Sequence, residues 1–259
     1  MKITYYHIDA FTDTPFTGNP AGVCPLDSWL PDVTLQKIAA ENNLSETAFF
    51  VPSGDHFDLR WFTPAIEVDL CGHATLASGY VLTRYLGYRD EVIHFESKSG
   101  TLMVERHGDI LTLDFPSRPG NPTEAPIALT AGLGRQPGEV YLARDYLAVF
   151  PNQADVMTIQ PIQEELIRLD CLGIIVTAPG EDVDFVSRFF APRAGIPEDP
   201  VTGSSHCTLI PYWANRLGKS KLTARQLSTR GGQLFCSLEG ERVKIGGHAV
   251  TYLKGELEV

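Results

Sequence analysis

With 259 residues and a hydrophobic content of 43%, the chain is long enough for two domains that each bury a core. A net charge of −11 without any Lys/Arg cluster excludes the phosphate attraction on which nucleic-acid binding depends. No run approaches the roughly 18 consecutive apolar residues of a membrane span, so we expect neither nucleic acid nor membrane as a partner.

Short strands dominate the first half of the chain. Alternating segments separated by turns predict strands at 3–11, 22–25, 48–52 and 57–62. Apolar residues at helical spacing predict a helix over 34–41, with Asp32 as its cap. A second helix is predicted over 74–86, and because it leaves little polar face it must be buried. Further strands are predicted at 92–97, 101–105 and 110–115.

The second half begins after a proline-rich crossing at 116–126, which places two domains at 1–117 and 125–259. Its pattern repeats that of the first half: strands within 140–150, 173–177 and 183–190, a short helix over 163–170 and a buried helix over 206–217. Pro211 removes one hydrogen bond from this last helix and should bend it near Cys207. Whether the last strand, 251–259, returns to the first domain is left open.

Three segments recur about 130 residues later in the same order. They are Arg60-Trp61-Phe62-Thr63-Pro64 with Arg188-Phe189-Phe190-Ala191-Pro192, Cys71-Gly72-His73 with Thr202-Gly203-Ser204, and 97–113 with 229–245. We therefore predict an internal duplication. The expected fold class is α+β, with two pseudo-symmetric domains that are each a curved, mixed or antiparallel β-barrel wrapped around a central helix. Their equivalent glycine turns are expected to face one cleft.

Both buried helices are preceded by a glycine, in Gly72-His73-Ala74-Thr75 and in Gly203-Ser204-Ser205. A helix start exposes unpaired N–H groups and the positive end of the helix dipole, and glycine lets a ligand approach them. The two starts together predict an anion-binding pocket for a small carboxylate. The alternative is that each glycine only eases a tight turn.

Three titratable residues stand where acid–base chemistry would need them. Glu46 is the only charge in the apolar segment 44–50, which predicts a raised carboxyl pKa and a proton shuttle; a solvated edge-strand glutamate is the alternative. Asp199 stands just before the second buried helix, and capping of that helix is its alternative role. His73 could relay a proton or donate a hydrogen bond at the helix start.

The five cysteines include no CxxC pair, which predicts reduced thiols in a cytoplasmic protein. The first residues lack the apolar stretch of a signal peptide, in line with that expectation. A zinc site of Cys71, His73, His206 and Cys207 is disfavoured because neither pair has the ligand spacing of a structural site. We therefore expect no metal.

Four motifs follow one another in a fixed order: Asp9-Ala10-Phe11 with Thr17-Gly18-Asn19-Pro20-Ala21-Gly22-Val23, then Leu44-Ser45-Glu46-Thr47-Ala48, Cys71-Gly72-His73-Ala74-Thr75, and Glu198-Asp199-Pro200-Val201-Thr202-Gly203-Ser204. Together they resemble the phenazine-biosynthesis PhzF-like isomerase family over nearly the whole chain. The resemblance implies a diaminopimelate-epimerase-like fold and a homodimer. It also implies that a carboxylate moves a proton on a small molecule without cofactor, metal or nucleotide.

The resemblance also assigns roles to residues. It implies that the catalytic residues are Glu46, the proton shuttle, His73 and Asp199, and that the substrate-binding residues are Ser45, Gly72, Gly203 and Ser204. The two glycines would act through their backbone N–H groups.

Epimerases of the same fold use two opposed thiols, one at each helix start. Here Cys71 occupies one position and Thr202 the other, and a hydroxyl is far too weak a base for that role. The first hypothesis is therefore an isomerase that moves a proton on a small carboxylate-bearing metabolite. The alternatives are a one-thiol racemase or epimerase that uses Cys71, and a small-molecule binding protein without turnover.

Overall fold

The computed structural model describes residues 1–259, which divide into two compact units. The first unit comprises Met1–Asp114 and Gly246–Val259, and the second comprises Phe115–Ile245. None of the helices combines the length and the apolar character that crossing a membrane requires.

Strands outnumber helices along the chain. The strands are β1 Lys2–Ala10, β2 Asn19–Pro25, β3 Glu46–Ser53, β4 His56–Phe62, β5 Glu67–Val68, β6 Val92–Ser97, β7 Gly100–His107, β8 Ile110–Pro116, β9 Asn121–Pro122, β10 Glu139–Leu142, β11 Tyr146–Val149, β12 Ile174–Pro179, β13 Phe185–Phe190, β14 Lys221–Gln226, β15 Gly232–Glu239, β16 Arg242–Gly247 and β17 Ala249–Glu258. The helices are α1 Asp32–Asn42, α2 Gly72–Tyr85, α3 Ile127–Leu133, α4 Gln153–Thr158, α5 Gln163–Leu166 and α6 Gly203–Leu217, besides a 3₁₀ turn at Pro192–Ala194.

The first unit is a curved mixed sheet around α2. Strand β2 pairs antiparallel with β1 and parallel with β3, β3 pairs antiparallel with β4, β4 parallel with β6, and β6 antiparallel with β7. Strand β17 pairs antiparallel with β1, which joins the end of the chain to its beginning. Helix α2 packs against β1, β2, β3, β7 and β17, and it is buried because most of its side chains are apolar or small.

Helix α1 covers part of the first unit's sheet with a second, smaller core. Its Leu35 and Ile38 pack with Tyr5, Cys24 and Phe49. The prediction that Asp32 caps this helix is wrong, because Pro31 occupies the N-cap and Asp32 is the first helical residue. There its carboxylate lies in the first turn, where the helix dipole favours a negative charge.

The second unit repeats the strand pattern of the first. Strands β10 and β11 are antiparallel, β11 and β12 parallel, β12 and β13 antiparallel, β13 and β14 parallel, and β14 and β15 antiparallel. Helix α6 packs against β14 and β15, and its Trp213 stacks on Phe185 at 5.7 Å. The two pairing patterns follow the same sequence of directions, so the predicted duplication and the α+β class are confirmed.

The third recurring segment also keeps its conformation. Gly108, between β7 and β8, has φ +63°, and Gly240, between β15 and β16, has φ +61°. Both values lie in the left-handed region, which glycine adopts without strain.

Pro211 lies inside α6 without ending the helix. Because proline has no N–H, the carbonyl of Cys207 lacks its usual helical donor. The backbone N–H of Arg118 takes its place and donates to Cys207 O at 2.8 Å. The chain that leads into the second unit therefore satisfies the group that Pro211 leaves open.

Candidate active site

The start of α2 carries the first group of predicted residues. Cys71 occupies the N-cap with an extended backbone, and no side-chain cap hydrogen bond is made there. The first N–H groups of α2 are therefore not satisfied by a capping side chain, and Gly72 places no Cβ beside them. Thr75 Oγ1 donates to Cys71 O at 2.6 Å and fixes this turn.

Glu46 is brought to this helix start by the sheet. It is the first residue of β3 and lies opposite Ala21 of the parallel strand β2, while α2 packs against both strands. Its side chain is only 15% exposed, and its Oε2 lies 3.2 Å from Nε2 of His73. The structure thus places Glu46 and His73, which are distant in sequence, side by side in a largely buried site.

His73 is a buried histidine whose tautomer is defined by its neighbours. Its Nε2 is buried and makes no hydrogen bond, whereas the ring bonds to the backbone of Pro20. Proline has no N–H, so the carbonyl of Pro20 must accept this bond from Nδ1, and Nε2 is left with its lone pair. Burial lowers the pKa of His73 to about 4 despite the bond to Pro20, so the ring is neutral at pH 7.

The contact between Glu46 and His73 has a chemical consequence. A neutral Nε2 and an ionised carboxylate would present lone pairs to each other across 3.2 Å. A proton taken up by the carboxyl group removes this repulsion, because Glu46 can then donate a hydrogen bond to Nε2. The pair is therefore suited to hold and release one proton.

Asp199 and Thr202 are fixed at the start of α6 by a glutamine that the sequence did not reveal. Gln226 is fully buried, accepts from Thr202 N at 2.9 Å through Oε1 and donates to Asp199 O at 2.7 Å through Nε2. The carboxylate of Asp199 accepts from Thr202 Oγ1 at 2.5 Å. Asp199 is thus held against the N-cap residue of α6.

Ser204, the second residue of α6, contacts a cation. Nη2 of Arg144 donates to Ser204 Oγ at 3.0 Å and to Asp145 Oδ2 at 2.8 Å. Asp145 is 2% exposed, so it holds the guanidinium in place, whereas Arg144 itself is half-buried. No capping hydrogen bond comes from the side chain of Thr202, the N-cap residue. The start of α6 therefore combines open N–H groups, a hydroxyl and a positive charge.

The predicted residues fall into two sets. Glu46, Gly72 and His73 meet in the first unit, and Ser45 directly precedes β3 there; Asp199, Gly203 and Ser204 surround the start of α6 in the second unit. Sequence reasoning missed the parts of Pro20, Arg144 and Gln226. Pro20 lies in a motif that the resemblance includes, while Arg144 and Gln226 carry no local signal because their partners are distant in sequence.

Three side chains in the first unit could ligate a metal ion. The ligand atoms of Glu46, Cys71 and His73 all lie within 4.8 Å of one another, and Cys71 Sγ is 3.5 Å from His73 Nδ1. His206, which belongs to the second unit, is not part of this group; its Nδ1 is hydrogen-bonded to Thr202 O at 2.8 Å.

The buried histidines predict acid-sensitive folding. Burial lowers the pKa of His206, like that of His73, to about 4, so the unfolded chain, with a histidine pKa near 6.5, binds more protons between these values. The contribution of each neutral, buried histidine to the free energy of unfolding is complete above about pH 6.5. It is lost as the pH falls to ~4, by up to about 3 kcal/mol per histidine.

We expect His206→Gln to reduce the loss of unfolding free energy between pH 7 and pH 5 in urea titrations. His94→Gln, at an exposed position, should leave the slope unchanged, and equal slopes in all three proteins would contradict this account.

The chain matches known proteins over nearly its whole length. The family described as "Phenazine biosynthesis-like protein" (PhzC-PhzF) matches residues 8–255. An uncharacterized isomerase of Pseudomonas aeruginosa is 49% identical over 259 residues, which cover 100% of both chains. The human phenazine biosynthesis-like domain-containing protein is 38% identical over 286 residues and covers 99% of both chains.

Solved structures agree with these matches. The crystal structure of a phenazine biosynthesis protein of the PhzF family from Enterococcus faecalis has a TM-score of 0.99 at 47% identity and covers 100% of both chains. A hydroxyproline epimerase from Agrobacterium vitis, at 11% identity and a TM-score of 0.61, covers 99% of this chain and 92% of its own and shares the fold alone. The chain therefore belongs to the phenazine biosynthesis-like PhzC-PhzF family and is an isomerase with the diaminopimelate-epimerase-like fold.

Proposed function

We propose that the protein is a cofactor-independent isomerase that moves a proton on a small carboxylate-bearing metabolite, with Glu46 as the general acid and base. One observation carries this proposal: the carboxyl group of Glu46 is largely buried and lies 3.2 Å from Nε2 of a neutral, buried His73. Such a pair holds a proton in a site with little water, which is what a proton shuttle between two substrate atoms requires.

The proposed reaction has two proton transfers. The Glu46 carboxylate takes a proton from a carbon next to an activating group, and the substrate's electron pair moves into that group. The protonated carboxyl group keeps this proton in a hydrogen bond to Nε2 of His73 while the substrate rearranges, and then delivers it to a different carbon, which restores the carboxylate. The open N–H groups at the start of α2 are suited to stabilise the negative charge that develops on the substrate.

In this proposal the residues at the start of α6 bind the substrate. The N–H of Gly203 and the hydroxyl of Ser204 are donors for a carboxylate, and Asp199, fixed by Thr202 and Gln226, supplies a second polar contact at a defined position. Ser45 and the N–H of Gly72 likewise bind the substrate, next to Glu46.

Arg144 should contribute to substrate affinity. Its Nη1 atom has no hydrogen-bond partner in the protein, while Nη2 already holds Ser204, so the guanidinium can pair with a substrate carboxylate. We expect Arg144→Ala to raise KM by roughly 10- to 100-fold, the effect of one charged hydrogen bond of about 1.5–3 kcal/mol, with a smaller change in kcat. Arg193→Ala, which removes an exposed surface ion pair, is the control. An unchanged KM in Arg144→Ala would exclude Arg144 from the binding site.

The substrate and the reaction can be identified together. A panel of small carboxylates is incubated with the protein in deuterated water and examined by mass spectrometry. An isomerase of this kind incorporates deuterium from solvent into its substrate or product. A compound that binds without any exchange or conversion would instead favour the binding-protein alternative.

A racemase or epimerase that uses one thiol is the second candidate. It is favoured by the position of Cys71 at the N-cap of α2, with Sγ 3.5 Å from the ring of His73. Under this mechanism Cys71→Ser abolishes deuterium exchange, whereas under the first it leaves exchange dependent on Glu46.

We further propose a cytoplasmic homodimer, on the basis of the resemblance to the family. The five cysteines form no disulfide, in agreement with a reducing compartment. Light scattering coupled to size-exclusion chromatography measures the oligomeric state directly, and a monomer at micromolar concentration would contradict the dimer.

A further inference from the structure

Glu46, His73 and Cys71 offer three different donor atoms at one helix start: a carboxylate oxygen, an imidazole nitrogen and a thiol sulfur. All three side chains are largely or fully buried. We propose that these residues form a binding site for a zinc ion, and that zinc bound there switches the isomerase off.

The tautomer and the surroundings of His73 are those of a metal ligand. Its Nε2 is buried, carries a lone pair and makes no hydrogen bond, and Oε2 of Glu46 faces it at 3.2 Å. Its other nitrogen donates to the carbonyl of Pro20. Metal-bound histidines are typically held in this way, with the second ring nitrogen bonded to a backbone carbonyl or carboxylate that fixes the ring and its tautomer.

The distances suit a tetrahedral ion. Two ligand atoms 3.2 Å apart, each ~2.0–2.1 Å from one ion, subtend an angle of ~100° at that ion, close to the tetrahedral value. The ligand atoms of the three residues lie within 4.8 Å of one another, and the sulfur of Cys71 is 3.5 Å from Nδ1 of His73. A movement of the Cys71 side chain toward Nε2 would bring the sulfur to the Zn–S distance of ~2.3 Å. A water molecule would complete the four ligands.

The donor set selects the kind of metal. Thiolate and imidazole ligands favour zinc over magnesium or calcium, which prefer oxygen. Zinc binds the thiolate, so the S–H bond of Cys71 breaks, its proton goes to the buffer and the sulfur electron pair forms the Zn–S bond. No electron transfer is involved, and binding should weaken as the pH falls.

Zinc would block the proposed reaction by occupying its general base. A carboxylate that is bound to the ion through Oε2 is a weaker base toward a substrate proton, and His73 can no longer accept a hydrogen bond through Nε2. This second half of the inference rests on the proposed function, whereas binding of the ion does not.

Direct metal titration tests the binding half without any substrate. The full chain is freed of metal and titrated with zinc against a chromophoric chelator, and in parallel with cobalt(II), whose tetrahedral thiolate complexes absorb strongly. We expect one ion per chain and a thiolate–cobalt absorption band. Loss of a ligand should weaken zinc binding by about 100-fold or more in Cys71→Ser and in His73→Gln, since loss of even an outer partner costs 10- to 100-fold.

Cys171→Ser is the matched control, because Cys171 is a partly exposed thiol outside the three-residue cluster. It should bind zinc like the original protein. Micromolar or weaker binding, a cobalt complex without a thiolate band, or equal weakening in Cys171→Ser and Cys71→Ser would overturn the site. The absence of a thiolate band in the cobalt spectrum of the unaltered protein would overturn the site even if a variant does not fold.

Inhibition is measured separately, once a substrate or a deuterium-exchange assay is in hand. We expect zinc to abolish turnover in proportion to its occupancy and excess chelator to restore it. Full turnover by the zinc-loaded chain would overturn the inhibitory role. If no exchange activity is found at all, the proposed function fails while the titration still decides the site.

Discussion

Glu46→Gln is expected to abolish the incorporation of solvent deuterium into the substrate. The amide keeps the size of the side chain but cannot take up a proton, so the general acid and base is lost while the pocket keeps its shape. General acid–base catalysis of this kind contributes about 10²- to 10⁴-fold in rate, and because the same group performs both transfers we expect a loss at the upper end. The measurement is deuterium uptake by mass spectrometry together with kcat.

Two further variants make this result specific. Glu41→Gln alters an exposed glutamate shortly before β3 and should keep full activity. Glu46→Asp retains the carboxyl group but withdraws it from Nε2 of His73, so it should retain partial activity. Glu46→Gln with near-normal exchange would remove Glu46 from the mechanism and leave Cys71 as the candidate.

Arg188→Met is expected to cause the largest loss of stability among the charged residues of the second unit. Its Nε and Nη2 form a paired contact with Glu198 at 2.7 and 3.0 Å, and Nη1 donates to the carbonyls of Val156 and Ile159. The Arg188 side chain is 10% exposed, so the substitution leaves a poorly solvated carboxylate and two carbonyls without their donor. Loss of one partner of such a pair costs about 3–5 kcal/mol, which urea unfolding measures.

The duplication supplies a matched control in Arg60→Met. Arg60 forms the same paired contact with Glu67, but its remaining nitrogen binds Asp32, whose side chain is 78% exposed. Asp32 can return to water, so we expect a smaller loss than for Arg188→Met. Because Glu198 adjoins Asp199, Arg188→Met should also raise KM. Equal losses of unfolding free energy in the two variants would show that the hydrogen bonds from Arg188 to the backbone carbonyls do not contribute to stability.

The local features of the fold could be read from the sequence. The predicted buried helices correspond to α2 and α6, which begin at Gly72 and Gly203, and the recurring glycine turns keep their left-handed backbone at Gly108 and Gly240. These features depend on residues close together in the chain, namely on apolar spacing and on the absence of a Cβ. The prediction of Asp32 as the N-cap was wrong by one residue, because Pro31 occupies the N-cap and sequence patterns do not define a helix end to within one residue.

The residues of the candidate site were predicted one by one, but their contacts were not. No spacing relates Glu46 to His73, because their contact arises from the parallel register of β2 and β3 and from the packing of α2 against both strands. The roles of Pro20 and Arg144 also depend on distant partners, since one accepts from His73 and the other donates to Ser204.

The sequence by itself determined the duplication, the two glycine-started helices and the identity of the chemical groups beside them. Only the tertiary structure decided that the carboxyl group of Glu46 meets a neutral imidazole, and that a thiol lies within reach of both. The physical reason is that helix periodicity and turn conformation are set by neighbours in the chain, whereas protonation depends on burial and on atoms that the folded sheet brings together.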